Sequence, residues 1–131
     1  MRFAKVVFVG AGIWGLAVLP PFFWLVDITG RHYEVPTQYP QFFYGFMSIT
    51  LAWQLAFLVI GSNPARFRPL MLPSILEKFG YVATLVVLFA QGRVSRTDAQ
   101  ALVPDLILGI LFIASFVKTR AVDSRDAHRS R

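Results

Sequence analysis

Four long apolar blocks constrain this chain more than any other feature of its sequence. They cover residues 6–26, 42–61, 70–91 and 101–117. Each block has about the 20 residues that an α-helix needs to cross roughly 30 Å of hydrocarbon. In a bilayer core every backbone polar group has to be satisfied within the protein, which favours helices. The pattern predicts an all-α, up-down four-helix bundle in a membrane.

The composition agrees with a single transmembrane domain. Hydrophobic residues make up 56% of the chain and charged residues only 15%, against about a quarter charged in a soluble domain. We expect a four-span domain over residues 1–118 and a basic cytoplasmic tail over residues 119–131. The tail has almost no apolar content, so we expect it to be disordered or to lie on lipid headgroups.

The residue types present exclude several kinds of chemistry. The chain has no cysteine, which excludes disulfides, thiolate metal sites and thiol nucleophiles. Its histidines, His32 and His128, lie outside the apolar blocks, so a haem in the bundle would lack the usual axial ligands. No nucleophile–base–acid set or metal-ligand spacing is present. We therefore expect a non-enzymatic protein with no cofactor and no metal.

The distribution of basic residues predicts the orientation. Nine lie on one side of the membrane: Arg2, Lys5, Arg66, Arg68, Lys118, Arg120, Arg125, Arg129 and Arg131. Three lie on the other side: Arg31, Arg93 and Arg96. The positive-inside rule therefore places both termini, and the loop with Arg66 and Arg68, in the cytoplasm. The net charge of +6 follows from this placement, so no nucleic-acid partner is expected.

One glycine motif has two interpretations. The segment Lys5–Ala17 contains the G-x-G-x-x-G spacing of dinucleotide-binding proteins at Gly10, Gly12 and Gly15. That fingerprint needs a strand before it and an amphipathic helix after it, whereas here two prolines and further apolar residues follow. We instead predict a transmembrane helix in which small residues, Ala11 and Gly15 among them, allow a neighbouring helix to approach closely.

Polar residues within the apolar blocks are candidates for a functional site, because ionisable groups in hydrocarbon cost a few kcal/mol. On the third block Ser74, Glu77, Tyr81 and Thr84 recur at helical spacing and form one polar face, which should point into the bundle. Gln54 on the second block falls at the same depth as Glu77, about 10 Å inside the cytoplasmic boundary. The two side chains are therefore expected to be able to meet.

Two interpretations of these residues remain open at this point. In the functional one, Glu77, Gln54 and Tyr81 form the polar end of an internal cavity and Asp105 lines its outer mouth. In the structural one, Lys78 or an interfacial arginine satisfies Glu77, Asp105 caps its helix, and Lys78 itself extends to the cytoplasmic headgroups. The predicted ligand-binding residues are Glu77, Tyr81, Gln54, Thr84 and Asp105.

Two helix starts are expected from local signals. Pro69 and Pro73 leave the start of the third span open between residues 70 and 73, and a start at Pro73 would move Glu77 to the interface. Thr97 and Gln100 have the spacing of a capping box and predict the start of the fourth helix.

The segment Asn63–Tyr81, NPARFRPLMLPSILEKFGY, follows an aromatic second helix. It resembles segments of small four-helix bacterial inner-membrane proteins, including DoxX-like proteins. The resemblance implies a bacterial four-span bundle and carries over no functional residue.

We expect a small accessory subunit or a binder of a lipophilic ligand with a polar site around Glu77. The alternative is a small proton-linked carrier or transporter. The expected partners are the lipid bilayer, a lipophilic small molecule, and a larger membrane complex or a second copy of the chain.

Overall fold

The structure is a computed structural model that describes residues 1–24, 30, 32, 34 and 38–129, with side chains described up to residue 120. No β-strand element occurs in these ranges, so the all-α prediction is confirmed. The α-helices are α1 (Arg2–Val18), α2 (Pro40–Ser62), α3 (Met71–Ala90), α4 (Arg96–Ala99) and α5 (Leu102–Arg129). Short 3-10 helices cover Pro20–Trp24 and Arg68–Leu70.

In the part of the chain that the structure describes, four helical segments are long and apolar enough to cross a membrane. They are Arg2–Trp24, Pro40–Ser62, Arg68–Ala90 and Arg96–Arg120. Large apolar side chains are exposed on the outside of the bundle; Val6 and Leu76, for example, are each 71% exposed. A surface of this kind matches hydrocarbon rather than water. The chain is therefore a multi-pass membrane protein.

Prolines set the ends of the first two helices. Helix α1 ends at Val18, and a 3-10 turn beginning at Pro20 replaces the regular helix, because proline lacks the N–H that would continue the α-helical hydrogen bonds. Helix α2 begins at Pro40, two residues before the predicted start, since proline is well tolerated in a first turn. The predicted end of the first span, Val26, lies outside the described residues.

The third helix begins early enough to contain the candidate site. Helix α3 starts at Met71 and passes through Pro73 without a break. Pro73 falls in the first turn, where backbone N–H groups have no partner within the helix, so the ring disrupts no hydrogen bond. Glu77 therefore lies in the second turn of α3, inside the helix.

The start of the fourth span differs from the prediction. Ser95 caps the short helix α4: its Oγ accepts a hydrogen bond from the backbone N–H of Asp98 at 3.1 Å and donates one to Asp98 Oδ2 at 2.6 Å. The predicted capping box at Thr97 and Gln100 is wrong, because the serine two residues earlier has the same capping chemistry with a carboxylate three residues on. At the other end, α5 continues to Arg129, beyond the predicted end of the span at 117.

The four spanning helices pack around a cluster of phenylalanines. Helix α1 packs against both α2 and α5, and α5 packs against α3. Phe8, Phe57 and Phe112 come from α1, α2 and α5, and all are fully buried. The ring of Phe112 stacks on Phe8 at 4.2 Å and meets Phe57 edge-on at 5.0 Å. Aromatic contacts of this geometry add to the gain from burying large apolar surfaces.

Small residues hold α1 against α2. Ala11, Gly12 and Gly15 are buried, so the prediction of a small-residue face is confirmed. A Cβ on Gly12 would lie 2.9 Å from the backbone oxygen of Gln54, and a Cβ on Gly15 would overlap the Gln54 side chain. Close backbone approach at small residues is a general feature of helix packing in membranes. The glycines of the dinucleotide-like motif thus lie in a continuous helix, and two of them, Gly12 and Gly15, serve packing.

Substitution of two glycines on the same helix tests this packing. Gly12→Ala should destabilise the protein by about 1–3 kcal/mol, because the added methyl group overpacks the α1–α2 contact. Gly10 has no atom within 4 Å of a Cβ, so Gly10→Ala should be neutral or slightly stabilising. Reversible unfolding in mixed micelles measures both. Equal effects of the two substitutions would contradict the described packing.

Candidate functional site

A lysine lies in the interior of the bundle. Lys78 is only 4% exposed and sits seven residues after the first residue of α3, about 10 Å along the helix. The prediction that its side chain extends to the headgroups is wrong. The reason is that a fixed negative partner lies within its reach in the interior, so its ammonium group is compensated without leaving the bundle.

Two carboxylates surround the Lys78 ammonium. Its Nζ donates a hydrogen bond to Asp105 Oδ1 on α5 at 3.1 Å, and it lies 3.2 Å from Glu77 Oε2. The second contact has the distance of an ion pair but not the geometry of a hydrogen bond. Glu77 Oε2 is therefore buried without a hydrogen-bond partner. We call Glu77, Lys78 and Asp105 the charged triad.

Asp105 lies deeper in the bundle than the sequence suggested. It was expected at the outer mouth of a cavity or as a helix cap. It does lie in the first turn of α5. Its carboxylate, however, pairs with Lys78, which lies twelve residues, or about 18 Å, before the end of α3 at Ala90. The difference arises because the fourth apolar segment begins at Arg96, with α4 as its first turn, rather than at residue 101.

An aromatic ring contributes to the surroundings of the ammonium group. Lys78 Nζ lies 5.2 Å from the centroid of the Phe57 ring, which belongs to the central phenylalanine cluster. The negative face of an aromatic ring attracts a cation, and the attraction is larger where water is excluded. Residues from α2, α3 and α5 thus all act on one buried charge.

The polar face of α3 points partly inward. Ser74 is fully buried, and its hydroxyl donates to Leu70 O at 2.7 Å. Tyr81 is half-buried, and its ring stacks at 5.9 Å on Phe46 of α2. Thr84 is exposed and donates to the carbonyl of Gly80. The prediction that this face points inward is therefore confirmed for the first turns of α3, up to Tyr81. It is wrong at Thr84, which is exposed.

Gln54 is buried, but it packs against a helix other than the one expected. Its side chain is 3% exposed and lies against Gly15 of α1. Its Nε2 donates to the carbonyl oxygen of Thr50, one turn earlier in α2, at 2.9 Å. The pairing with Glu77 expected from equal depth is therefore wrong, because the Gln54 side chain is directed toward α1 rather than toward α3.

Lys78 is the site residue that the sequence interpretation missed. A signal was present, because Lys78 lies 13 residues before Gln91 and Asp105 lies 13 residues after Gly92. Residues equidistant from the turn of an antiparallel helical hairpin lie at the same level. Applied to residues of opposite charge, this rule predicts an ion pair between Lys78 and Asp105.

Two surface depressions lie toward the α3–α4 turn. One is lined by Val86, Phe89, Arg96, Ala99, Gln100, Leu102 and Val103, and the other by Ala83, Thr84, Val87, Leu88, Gln91 and Arg93. Of the predicted ligand-binding residues, only Thr84 lines either of them. The charged triad belongs to neither depression.

Comparisons of the chain with models of protein families, with curated proteins and with solved structures find no match. The fold and the site themselves define the class. The chain is a multi-pass helical membrane protein whose interior holds two carboxylates and one ammonium group in contact.

Proposed function

We propose that this chain is a non-enzymatic membrane protein that binds a lipophilic molecule carrying one hydrogen-bond donor, with Glu77 as the group that receives the donor. The observation that carries the proposal is the buried oxygen Glu77 Oε2, which has an ion-pair neighbour and no hydrogen-bond partner. A buried hydrogen-bond acceptor without a partner destabilises the folded protein by about 1–3 kcal/mol, and by more if the acceptor is charged. A ligand donor would recover that free energy.

The helix arrangement supports access from the lipid. Helices α2 and α3 approach each other closely at few points, and rings such as Phe46 and Tyr81 bridge the seam between them. Glu77 lies one turn from Tyr81 on α3, and 18% of its side chain is exposed. Four helices enclose little volume, so the proposed ligand lies in this seam, with its apolar part against aromatic side chains and lipid.

Retention of the ligand during purification tests the proposal. Protein purified in a mild detergent should carry an enriched lipophilic compound, detected by extraction and mass spectrometry. Glu77→Gln should reduce its amount by about tenfold or more, because a hydrogen bond to a charged group contributes about 1.5–3 kcal/mol. Asp98→Asn, which removes an exposed carboxylate outside the triad, is the matched control and should retain it.

Thermal unfolding of the purified variants shows whether Glu77→Gln is folded. The proposal fails if no compound is enriched in the parent protein. It also fails if a folded Glu77→Gln variant carries the same compound in the same amount.

We further infer that the membrane is a bacterial inner membrane, with both termini in the cytoplasm. The support for the orientation is a cluster of cations at one end of the bundle, which we call the basic end: Arg2, Lys5, Arg66, Arg68, Lys118 and Arg120. Lys118 Nζ lies over the ring of Phe3, so these segments from both ends of the chain meet there. At the opposite end the described side chains include two basic residues, Arg93 and Arg96, and an excess of Lys and Arg on one side is the bias that the positive-inside rule associates with the cytoplasm.

The absence of cysteine makes this orientation directly testable. Ser62→Cys introduces a thiol at the basic end and Thr97→Cys introduces one near the opposite end; both positions are exposed. A membrane-impermeant maleimide should label Thr97→Cys on intact spheroplasts and Ser62→Cys only after the membrane is opened. The reverse pattern would overturn the orientation.

A further inference from the structure

The charged triad has an excess of one negative charge. When all its groups are ionised, two carboxylates face one ammonium. An uncompensated charge in a medium with little water is strongly unfavourable, so such a site takes up an opposite charge or a proton. A cation on a neighbouring residue would satisfy this requirement.

No charged side chain among the described residues does so. Helix α2 has no charged residue, and the cations of α1 and of the described side chains of α5 lie at the basic end. Arg68 precedes Glu77 by nine residues, about 13 Å along the chain axis, and its guanidinium donates to the carbonyl of Phe116. On α3 the nearest other titratable group is Tyr81, one turn from Glu77 and stacked on Phe46.

The two carboxylates of the triad differ in what they can accept. Asp105 already receives the hydrogen bond of the ammonium. Glu77 Oε2 receives none, and the Glu77 side chain retains partial exposure. The added positive charge therefore belongs on Glu77.

We propose that Glu77 holds one exchangeable positive charge, either a proton or the head group of a lipophilic primary amine, and that the two compete. This inference rests on the proposed ligand binding and names the ligand class. A protonated amine offers both the missing charge and the missing hydrogen-bond donors. The rings of Phe46 and Tyr81, one turn away, can pack on its alkyl chain and attract its cationic end. A neutral ligand would leave the excess charge, and an anion would double it.

The test compares three probes that share one alkyl chain: dodecylamine, dodecanol and dodecanoate. Binding to the protein in nanodiscs of zwitterionic lipid is measured by titration calorimetry, with empty nanodiscs subtracted. At about pH 8 a primary amine is still cationic, and dodecylamine should bind about tenfold or more tightly than dodecanol. As the pH falls, its affinity should decrease by up to about tenfold per pH unit, because protonation of Glu77 removes the site.

Variants separate the possible outcomes. Glu77→Gln should abolish both the preference for the amine and the pH dependence, whereas Asp98→Asn should leave both unchanged. The inference is overturned, with ligand binding intact, if dodecanol binds as well as dodecylamine or if amine affinity does not change with pH in the parent protein. If no probe binds above empty nanodiscs, the proposed function itself fails. Even if Glu77→Gln does not fold, the three probes and the pH series on the parent protein show whether the site selects a cationic head group that competes with protons.

Discussion

A lysine ammonium group in the interior of a membrane protein has to be compensated where it lies, because neither lipid nor bulk water can solvate it there. In this chain the compensation comes from two carboxylates and one aromatic ring. Lys78 reaches Asp105 on α5, its sequence neighbour Glu77, and the ring of Phe57 on α2. Removal of one partner from a buried pair of this kind costs about 3–5 kcal/mol, so the interaction sets the level at which α3 and α5 lie side by side.

Other contacts of the α3–α5 pair agree with this level. The ring of Phe79 lies 2.9 Å from the position of a Cβ on Gly109, so α5 needs a glycine where the ring of α3 packs against it. Nearer the basic end, Arg68 lies in the 3-10 helix that leads into α3. It donates to the carbonyl of Phe116 and lies over its ring at 3.9 Å. The ion pair and these two contacts share one register, and a shift of either helix by one turn would break all three.

Much of this architecture can be predicted from the sequence, because the length of each apolar block and the spacing of small residues along a helix are properties of a single segment. The four apolar blocks became the four spanning helices, and Gly12 and Gly15 became the contact surface for α2. The interior position of Glu77 also followed, once α3 was found to begin at Met71. These features depend on the helix to which a residue belongs and on its depth, both of which a single sequence encodes directly.

The pairing of side chains across helices was harder to predict. Gln54 packs against α1 rather than α3, because rotation of α2 about its axis depends on tertiary packing rather than on any local signal. The chemistry of a lysine alone predicts that Lys78 extends to the headgroups, although its distance from the α3–α4 turn matches that of Asp105. The site therefore depends on hairpin geometry, which apolar patterning does not specify.

The burial of Lys78 can be measured directly in a bilayer. The chain has three lysines, Lys5, Lys78 and Lys118, so a protein labelled with nitrogen-15 at lysine Nζ and carbon-13 at aspartate carboxyl groups gives a simple solid-state NMR spectrum. Lys5→Arg and Lys118→Arg assign the remaining signal to Lys78. We expect its Nζ to lie within about 4 Å of one aspartate carboxyl carbon, as a hydrogen-bonded pair requires, and to show no coupling to lipid phosphorus. Coupling of the Lys78 signal to headgroup phosphorus, with none to aspartate, would contradict a buried charged triad.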